Sequence, residues 1–454
     1  MTSGVLREHY RIFGKYSVLK KKIIIHAGPG KTGTSAIQSW LSSNIELLKS
    51  HGIHYPAHEV DSNSVSSGNL LKVLKSDGKH WVVDEVKLKQ LVSAFESSKC
   101  EVLLLSSEHF YSVIEELHRM LPEAKFLLYF RNPVDMLESN YNQGVKRHGF
   151  THKFSPPEKI GTGYLERFKS LLSLLGTNHL FVRSYDLANQ FDGGVVEDFL
   201  SFLGLDVKPE RKKINASYTL EALELKRQLN VFELEPLDAR ELDKLLQGYN
   251  QGLVGYSLFS ESQYLTLQQS CHEQLRELFR KYDLHSLQKS LSVYQSPPDK
   301  NFVSQYVSKE RLSEVVDYIY KNDQCLFENI HNELASLLYN PLRSSDIYHC
   351  FNVTPPSPPP LLLDRMVEQV VSSLPIAEEN KSKVAVRMAH YFLGELDFTR
   401  AIKFLSVAIN MEPHVEKYNE ALAKAYNLRR KSIKKKNLRK ERLFGLISKL
   451  LNLR

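Results

Sequence analysis

The densest run of chemically capable residues is Ile25-His26-Ala27-Gly28-Pro29-Gly30-Lys31-Thr32-Gly33-Thr34-Ser35. A short apolar segment precedes it, and Ile37, Trp40, Leu41, Ile45 and Leu48 follow at helical spacing, so this loop joins a strand to an amphipathic helix. Its glycines let the backbone turn tightly, successive N–H groups can line a concavity, and the helix N-terminus adds positive potential. Together these features bind phosphate. Lys31 adds a full charge, and the hydroxyls of Thr32, Thr34 and Ser35 can donate hydrogen bonds. An ordinary glycine-rich turn has no need of a lysine and three hydroxyls in five positions. The ATP/GTP loop G-x-x-x-x-G-K-[ST] does not fit: Ile25 stands five residues before Gly30-Lys31-Thr32, and Thr34 follows Gly33 where a lysine is required.

A second candidate lies about 100 residues on, in Phe126-Leu127-Leu128-Tyr129-Phe130-Arg131-Asn132-Pro133. Asn132 suits an N-cap and Pro133 a first helical position, so Arg131 ends a strand where its forked guanidinium can meet a phosphate. Ser139 follows on the predicted helix. Alone, Arg-Asn-Pro marks a capped helix start; together with the first loop it makes a second anion contact. Between the two, Ser106-Ser107-Glu108-His109 follows the apolar run Val102–Leu105 and offers an acid/base group at a strand end. His51, His54, His58 and Glu59 cluster after the first helix without regular metal-ligand spacing, and read as contacts to a second substrate rather than as a metal site.

These residues need a scaffold that brings strand ends together. Lys22–His26, Val102–Ser107, Phe126–Phe130 and His179–Tyr185 read as strands apolar on both faces, alternating with helical periodicity. The expected class is therefore α/β, a parallel sheet flanked by helices, with ligands beyond the C-terminal strand ends. Residues 220–350 read as helical and aromatic. Five prolines in Thr354-Pro355-Pro356-Ser357-Pro358-Pro359-Pro360 favour an extended linker. After it, Ala389, Phe392, Ala401, Leu405, Ala408 and Pro413 fit a 34-residue helix-turn-helix repeat of the tetratricopeptide type. The expected organisation is an α/β domain over 1–353, a linker over 354–360, a helical repeat-like region over 361–430 and a basic amphipathic tail over 431–454.

The chain has 454 residues and a net charge of +8. Residues 429–454 hold eleven Lys or Arg against one Glu, so the rest is close to neutral and bulk charge gives no nucleic-acid surface. The tail interleaves no aromatic residues with its basic run, which also argues against nucleic acid. Its apolar Leu443, Leu446, Ile447, Leu450 and Leu451 suit either an anionic membrane surface or packing on the repeat. Four cysteines without a CxxC pair argue against a disulfide scaffold and a cysteine zinc site. No apolar run is long enough to span a bilayer, and the first residues lack a secretory signal, so the expected location is cytoplasmic, or peripheral on the inner membrane face.

Over roughly residues 20–230 the chain resembles the sulfotransferases that use 3′-phosphoadenosine 5′-phosphosulfate (PAPS). Lys31-Thr32-Gly33-Thr34-Ser35 matches the family's Lys-[ST]-Gly-Thr-[ST] segment, with Ser35 in place of the commoner threonine. Arg131 and Ser139 match its strand-end arginine and the serine eight residues on. The resemblance implies a P-loop-like sulfotransferase fold, a 5′-phosphosulfate held by Gly30–Ser35, and a 3′-phosphate held by Arg131 and Ser139. It also implies PAPS as co-substrate without a required metal, and 3′-phosphoadenosine 5′-phosphate as product. Arg183-Ser184-Tyr185-Asp186-Leu187 resembles the family's Tyr-[DE]-x-Leu segment, with Tyr185 either beside the adenine or in the core. The family's basic loop has no clean copy; Arg211, Lys212 and Lys213 are the nearest residues. For sulfuryl transfer Lys31 would offset charge on the leaving phosphate. Glu108 is the expected base, with His109 and His58 in reserve. The implied acceptor is a hydroxyl, of a carbohydrate or glycan ahead of a steroid or phenol, with a protein partner for the helical repeat. A P-loop-type nucleoside or sugar kinase and a non-catalytic interaction protein are the competing classes.

Overall fold

A computed structural model describes residues 21–58, 67–161, 163–210, 217–295, 301–337, 339–340, 343–357 and 361–432. Arg211, Lys212, Lys213, Glu59, Pro358–Pro360 and the tail beyond residue 432 lie outside the described residues. The chain divides into two compact units, residues 1–220 with 250–306, and residues 221–249 with 307–454. The Pro-rich segment from Thr354 thus lies within the second unit, and the divisions fall at 220, 250 and 306.

In the first unit five parallel strands form one sheet: β1 (Lys22–His26), β2 (Ile53–His54), β3 (Val102–Ser106), β4 (Lys125–Phe130) and β5 (Leu180–Ser184), in the order β2-β3-β1-β4-β5. Apolar residues on both strand faces explain the arrangement. Ile25, Leu103, Leu105, Phe126, Leu128 and Phe130 pack into one core, and Ile24, Val102, Leu104, Leu127 and Tyr129 into the other. The register pairs His26 with Ser106 and Leu127, and Phe130 with Ser184, so the ends of β1 and β3 align and those of β4 and β5 align three residues further along the same edge. The chain passes from β3 to β4 across β1. Ligands of open parallel sheets bind in the crevice such a reversal leaves.

Helices cover the sheet. We label α1 (Thr34–Ser43), α2 (Pro133–Arg147), α3 (Gly163–His179), α4 (Gly194–Phe202), α5 (Glu261–Lys281) and α6 (His285–Gln295). The periodic stretch after the first loop is two helices rather than one. It breaks at Asn44, whose side-chain amide donates to the Trp40 carbonyl at 2.7 Å and so satisfies an orphan acceptor of the helix end. Asn132 caps α2 as expected, its Oδ1 accepting from the Val134 N–H at 3.0 Å, with Pro133 at the first position. The helices α5 and α6 come from the stretch that carries no motif, yet Leu275, Leu278, Phe279 and Leu287 fill the same core as β4.

The second unit is helical among its described residues. Its C-terminal part contains a hairpin of Glu378–Gly394 and Phe398–Met411, with Ala385, Ala389, Ala401, Leu405 and Ala408 fully buried. Small residues at those positions let two helices approach closely. A further helix over 416–432 adds Leu422 and Ala425 to that core. No helix of the described residues is long and apolar enough to cross a membrane.

A buried polar knot fixes α4 to the sheet. Arg183 grips Asp198 with two hydrogen bonds of 2.6 Å, and the Tyr129 hydroxyl donates to the same carboxylate at 2.8 Å. Removing the carboxylate would leave a guanidinium and a phenol without their acceptor. Asp198→Ala is expected to lower stability by about 3–5 kcal/mol in urea unfolding, more than Asp198→Asn, which keeps an acceptor oxygen.

Candidate functional site

The glycine-rich loop leaves β1 and enters α1 through two left-handed residues, Lys31 at φ 70° and Gly33 at φ 80°. Gly33 is required twice over: its φ suits glycine, and an added Cβ would lie 2.5 Å from Val195 Cγ1 of α4. As N-cap, Gly33 brings no side-chain acceptor, so the first turn of α1, at Thr34 and Ser35, begins without a capping oxygen and without an acidic residue. That is the helix-end chemistry of an anion site. Thr32 is fully buried, and its hydroxyl donates to the Pro29 carbonyl at 2.7 Å, so it braces the loop from inside. Gly30 is exposed at the rim.

Arg131 reaches this loop from the end of β4. Its Nη1 donates to the Lys31 carbonyl at 2.8 Å and lies 3.4 Å from Ser139 Oγ on α2. The guanidinium carbon stands 5.0 Å from the centre of the Tyr185 ring, and Nε is buried without a hydrogen-bond partner. Lys31, Arg131, Ser139 and Tyr185, which come from four separate segments, therefore meet at the C-terminal edge of the sheet. Tyr185 starts a short helix capped by Ser184 Oγ, which accepts from the Leu187 N–H at 3.3 Å. Its ring lies against Arg131 on one side and packs on the core of Phe199 and Val195 on the other.

Electrostatics at Lys31 are dominated by burial, which pushes its ammonium down to about 8; Glu108 opposes that shift, and Arg131 and Arg147 reinforce it. Glu108 opens a 3₁₀ turn after β3 and faces the loop. Its Oε2 accepts from the Thr34 hydroxyl at 3.5 Å and would lie 3.6 Å from a Cβ on Gly30. His109 turns the other way, with its ring 5.7 Å from that of Trp81. His58 shares a hydrogen bond of 2.9 Å between Nε2 and the Tyr55 hydroxyl. His51 Nδ1 meets the Leu47 carbonyl at 2.9 Å, and His54 sits in β2 with its pKa lowered by burial and by Lys49. Among the described residues no three His, Cys, Asp or Glu are grouped to hold a metal ion.

The structure adds residues that composition and spacing did not single out. His26 is fully buried beneath the loop, with Nδ1 2.8 Å from Ser106 Oγ and burial pushing its pKa down to about 3, so the ring is neutral. Its Nε2 is unpartnered and would lie 3.4 Å from a Cβ on Gly28. Asp186 accepts from the Asn132 N–H and from the Tyr294 hydroxyl, and Gln268 accepts from the Asn132 side-chain amide. His26 and Asp186 stand inside the two quoted motifs; Tyr294 and Gln268 carry no sequence signal.

No family model matches the chain, and no curated protein matches it. Among solved structures it is similar to a sulfotransferase from Alicyclobacillus acidocaldarius. That match has 18% identity and a TM-score of 0.28, and covers 49% of this chain and all of the other.

A lysine at φ 70° carries left-handed strain of about 1 kcal/mol that glycine would not. Lys31→Gly and Lys31→Ala remove the same charge and differ chiefly in backbone freedom. Lys31→Gly is expected to be the more stable of the two by roughly that amount in chemical denaturation. Equal stabilities would show that the loop is not strained at this residue.

Proposed function

We propose that the chain is a sulfotransferase that moves the sulfuryl group of PAPS to an acceptor hydroxyl, of a carbohydrate or glycan, and releases 3′-phosphoadenosine 5′-phosphate. The observation that carries this reading is the meeting of Arg131 and Ser139 with the Lys31 loop and the Tyr185 ring. A ligand with one anionic group at the loop, a second at Arg131 and an aromatic base between them matches that set of donors. The unpartnered Nε of Arg131 fits it too, as does a lysine whose charge is disfavoured until an anion joins it.

PAPS, when bound, supplies the activated sulfuryl group. Lys31, Thr34, Ser35 and the first-turn N–H groups of α1 would hold its 5′ end. Arg131 and Ser139 would hold the 3′-phosphate, and Tyr185 would flank the base. Lys31 places a cation where negative charge develops on the departing phosphate oxygen. Glu108, above the loop, accepts the proton of the acceptor hydroxyl. His109, turned toward Trp81, is the weaker candidate for that role.

Titration with 3′-phosphoadenosine 5′-phosphate against ATP tests the reading, with preference for the former expected. Arg131→Ala should act mainly through cofactor affinity, because the 3′-phosphate is remote from the reacting sulfur, whereas Lys31→Ala should also lower kcat. Glu108→Gln is expected to slow turnover by about 10²–10⁴-fold with cofactor binding preserved. Full activity in Glu108→Gln, with His109→Ala or His58→Ala inactive, would move the base to a histidine.

The depressed Lys31 pKa makes binding pH-dependent. The protonated form binds the anion, so affinity should fall as pH rises through about 8. Binding near that pH should also take up a proton, because the bound anion favours the ammonium. Calorimetry in buffers of different ionisation enthalpy measures that uptake, and Lys31→Arg should abolish it.

A further inference from the structure

Four side chains behind Arg131 close a ring of hydrogen bonds. The Asn132 N–H donates to Asp186 Oδ2 at 3.0 Å, and the Tyr294 hydroxyl donates to the same oxygen at 2.8 Å. Asn132 Nδ2 donates to Gln268 Oε1 at 3.1 Å, and Gln268 Nε2 donates to the Tyr294 carbonyl at 2.6 Å. Gln268 and Tyr294 are nearly fully buried, at 5% and 3% exposure, and Asn132 at 1%. The ring joins the end of β4, the segment after β5, α5 and α6. Arg131 immediately precedes one member and Tyr185 another, and those two residues face each other across 5.0 Å.

We propose that this ring, with Asp186 at its hub, positions Arg131 to read the 3′-phosphate, so that Asp186 and Tyr294 are specificity-positioning residues for the cofactor. The proposal rests on the PAPS reading above. Neither residue need touch the ligand. Asp186 fixes the Asn132 backbone, hence the strand end that aims Arg131. A guanidinium recognises phosphate through a rigid fork of donors, so a small rotation of its base costs affinity steeply. Burial raises the Asp186 pKa, while the Tyr294 hydroxyl, the Asn132 N–H and Arg131 draw it back. The loop around Lys31 belongs to β1 and α1, is braced from inside by Thr32, and touches the ring only indirectly, through the Arg131 guanidinium. Loosening the ring should therefore weaken contacts to the 3′ end of the nucleotide more than those to its 5′ end.

The test compares equilibrium titrations of 3′-phosphoadenosine 5′-phosphate and of adenosine 5′-phosphate on the full chain, Asp186→Asn and Tyr294→Phe. Tyr294→Phe deletes one hydroxyl and keeps the ring packing, so it guards against a fold-wide effect of the Asp186 change. The wild type is expected to favour the 3′-phosphorylated ligand. Both variants should lose about 10-fold in that affinity, the scale of one hydrogen bond to a charged group. Adenosine 5′-phosphate should bind as before. Unchanged preference in Tyr294→Phe overturns the proposal, and so does an equal loss of both ligands, which marks a structural effect only. A wild type that does not distinguish the two ligands overturns the PAPS reading itself, and the positioning role with it.

Discussion

The hydrogen bond from Arg131 to the Lys31 carbonyl, 2.8 Å long, is the constraint on which the rest of the site depends. It ties the end of β4 to the loop after β1, two segments 100 residues apart. A carbonyl points at Arg131 because Lys31 adopts a left-handed backbone, and Gly33 adopts another two residues later. Those two residues turn the chain sharply enough for α1 to start with uncapped N–H groups directed at the same space. Ordinary loop geometry would present the carbonyl elsewhere and leave the guanidinium without a fixed orientation.

That contact brings like charges together. Burial is the main reason the Lys31 pKa falls, and the nearby Arg131 and Arg147 add to it. Glu108 opposes it from the rim. The doubly anionic ligand proposed above would be drawn by the same electrostatics that lower the lysine pKa. His26, neutral and buried beneath the loop, contributes shape and a hydrogen bond to Ser106 without adding to the charge.

Support for the site comes from far along the chain. The helices α5 and α6, which pack into the core with β4, deliver Gln268 to the Asn132 side chain and Tyr294 to Asp186. The segment 250–306 rejoins the α/β unit, whereas the helices on either side of it in the chain belong to the second unit. Composition offers no sign of that return, because both groups of helices are amphipathic in the same way.

Period and local chemistry were legible in the sequence. Runs apolar on both faces, such as those around Ile24 and Leu127, can only be strands buried between two layers, and the Asn132-Pro133 start of α2 is set by capping chemistry within four residues. The tight turn of the Lys31 loop between β1 and α1 was legible for the same reason, since glycines at short spacing act locally. The tertiary structure alone decided which neighbour each strand took, that Glu108 faces the loop while His109 turns to Trp81, and that Tyr185 lies against Arg131. Consecutive residues in a tight turn point in different directions, and one side chain's rotamer depends on partners elsewhere in the chain. The break at Asn44 and the ring around Asp186 belong to the same class. Each is a hydrogen-bonding solution to burial, and burial is a property of the packed chain.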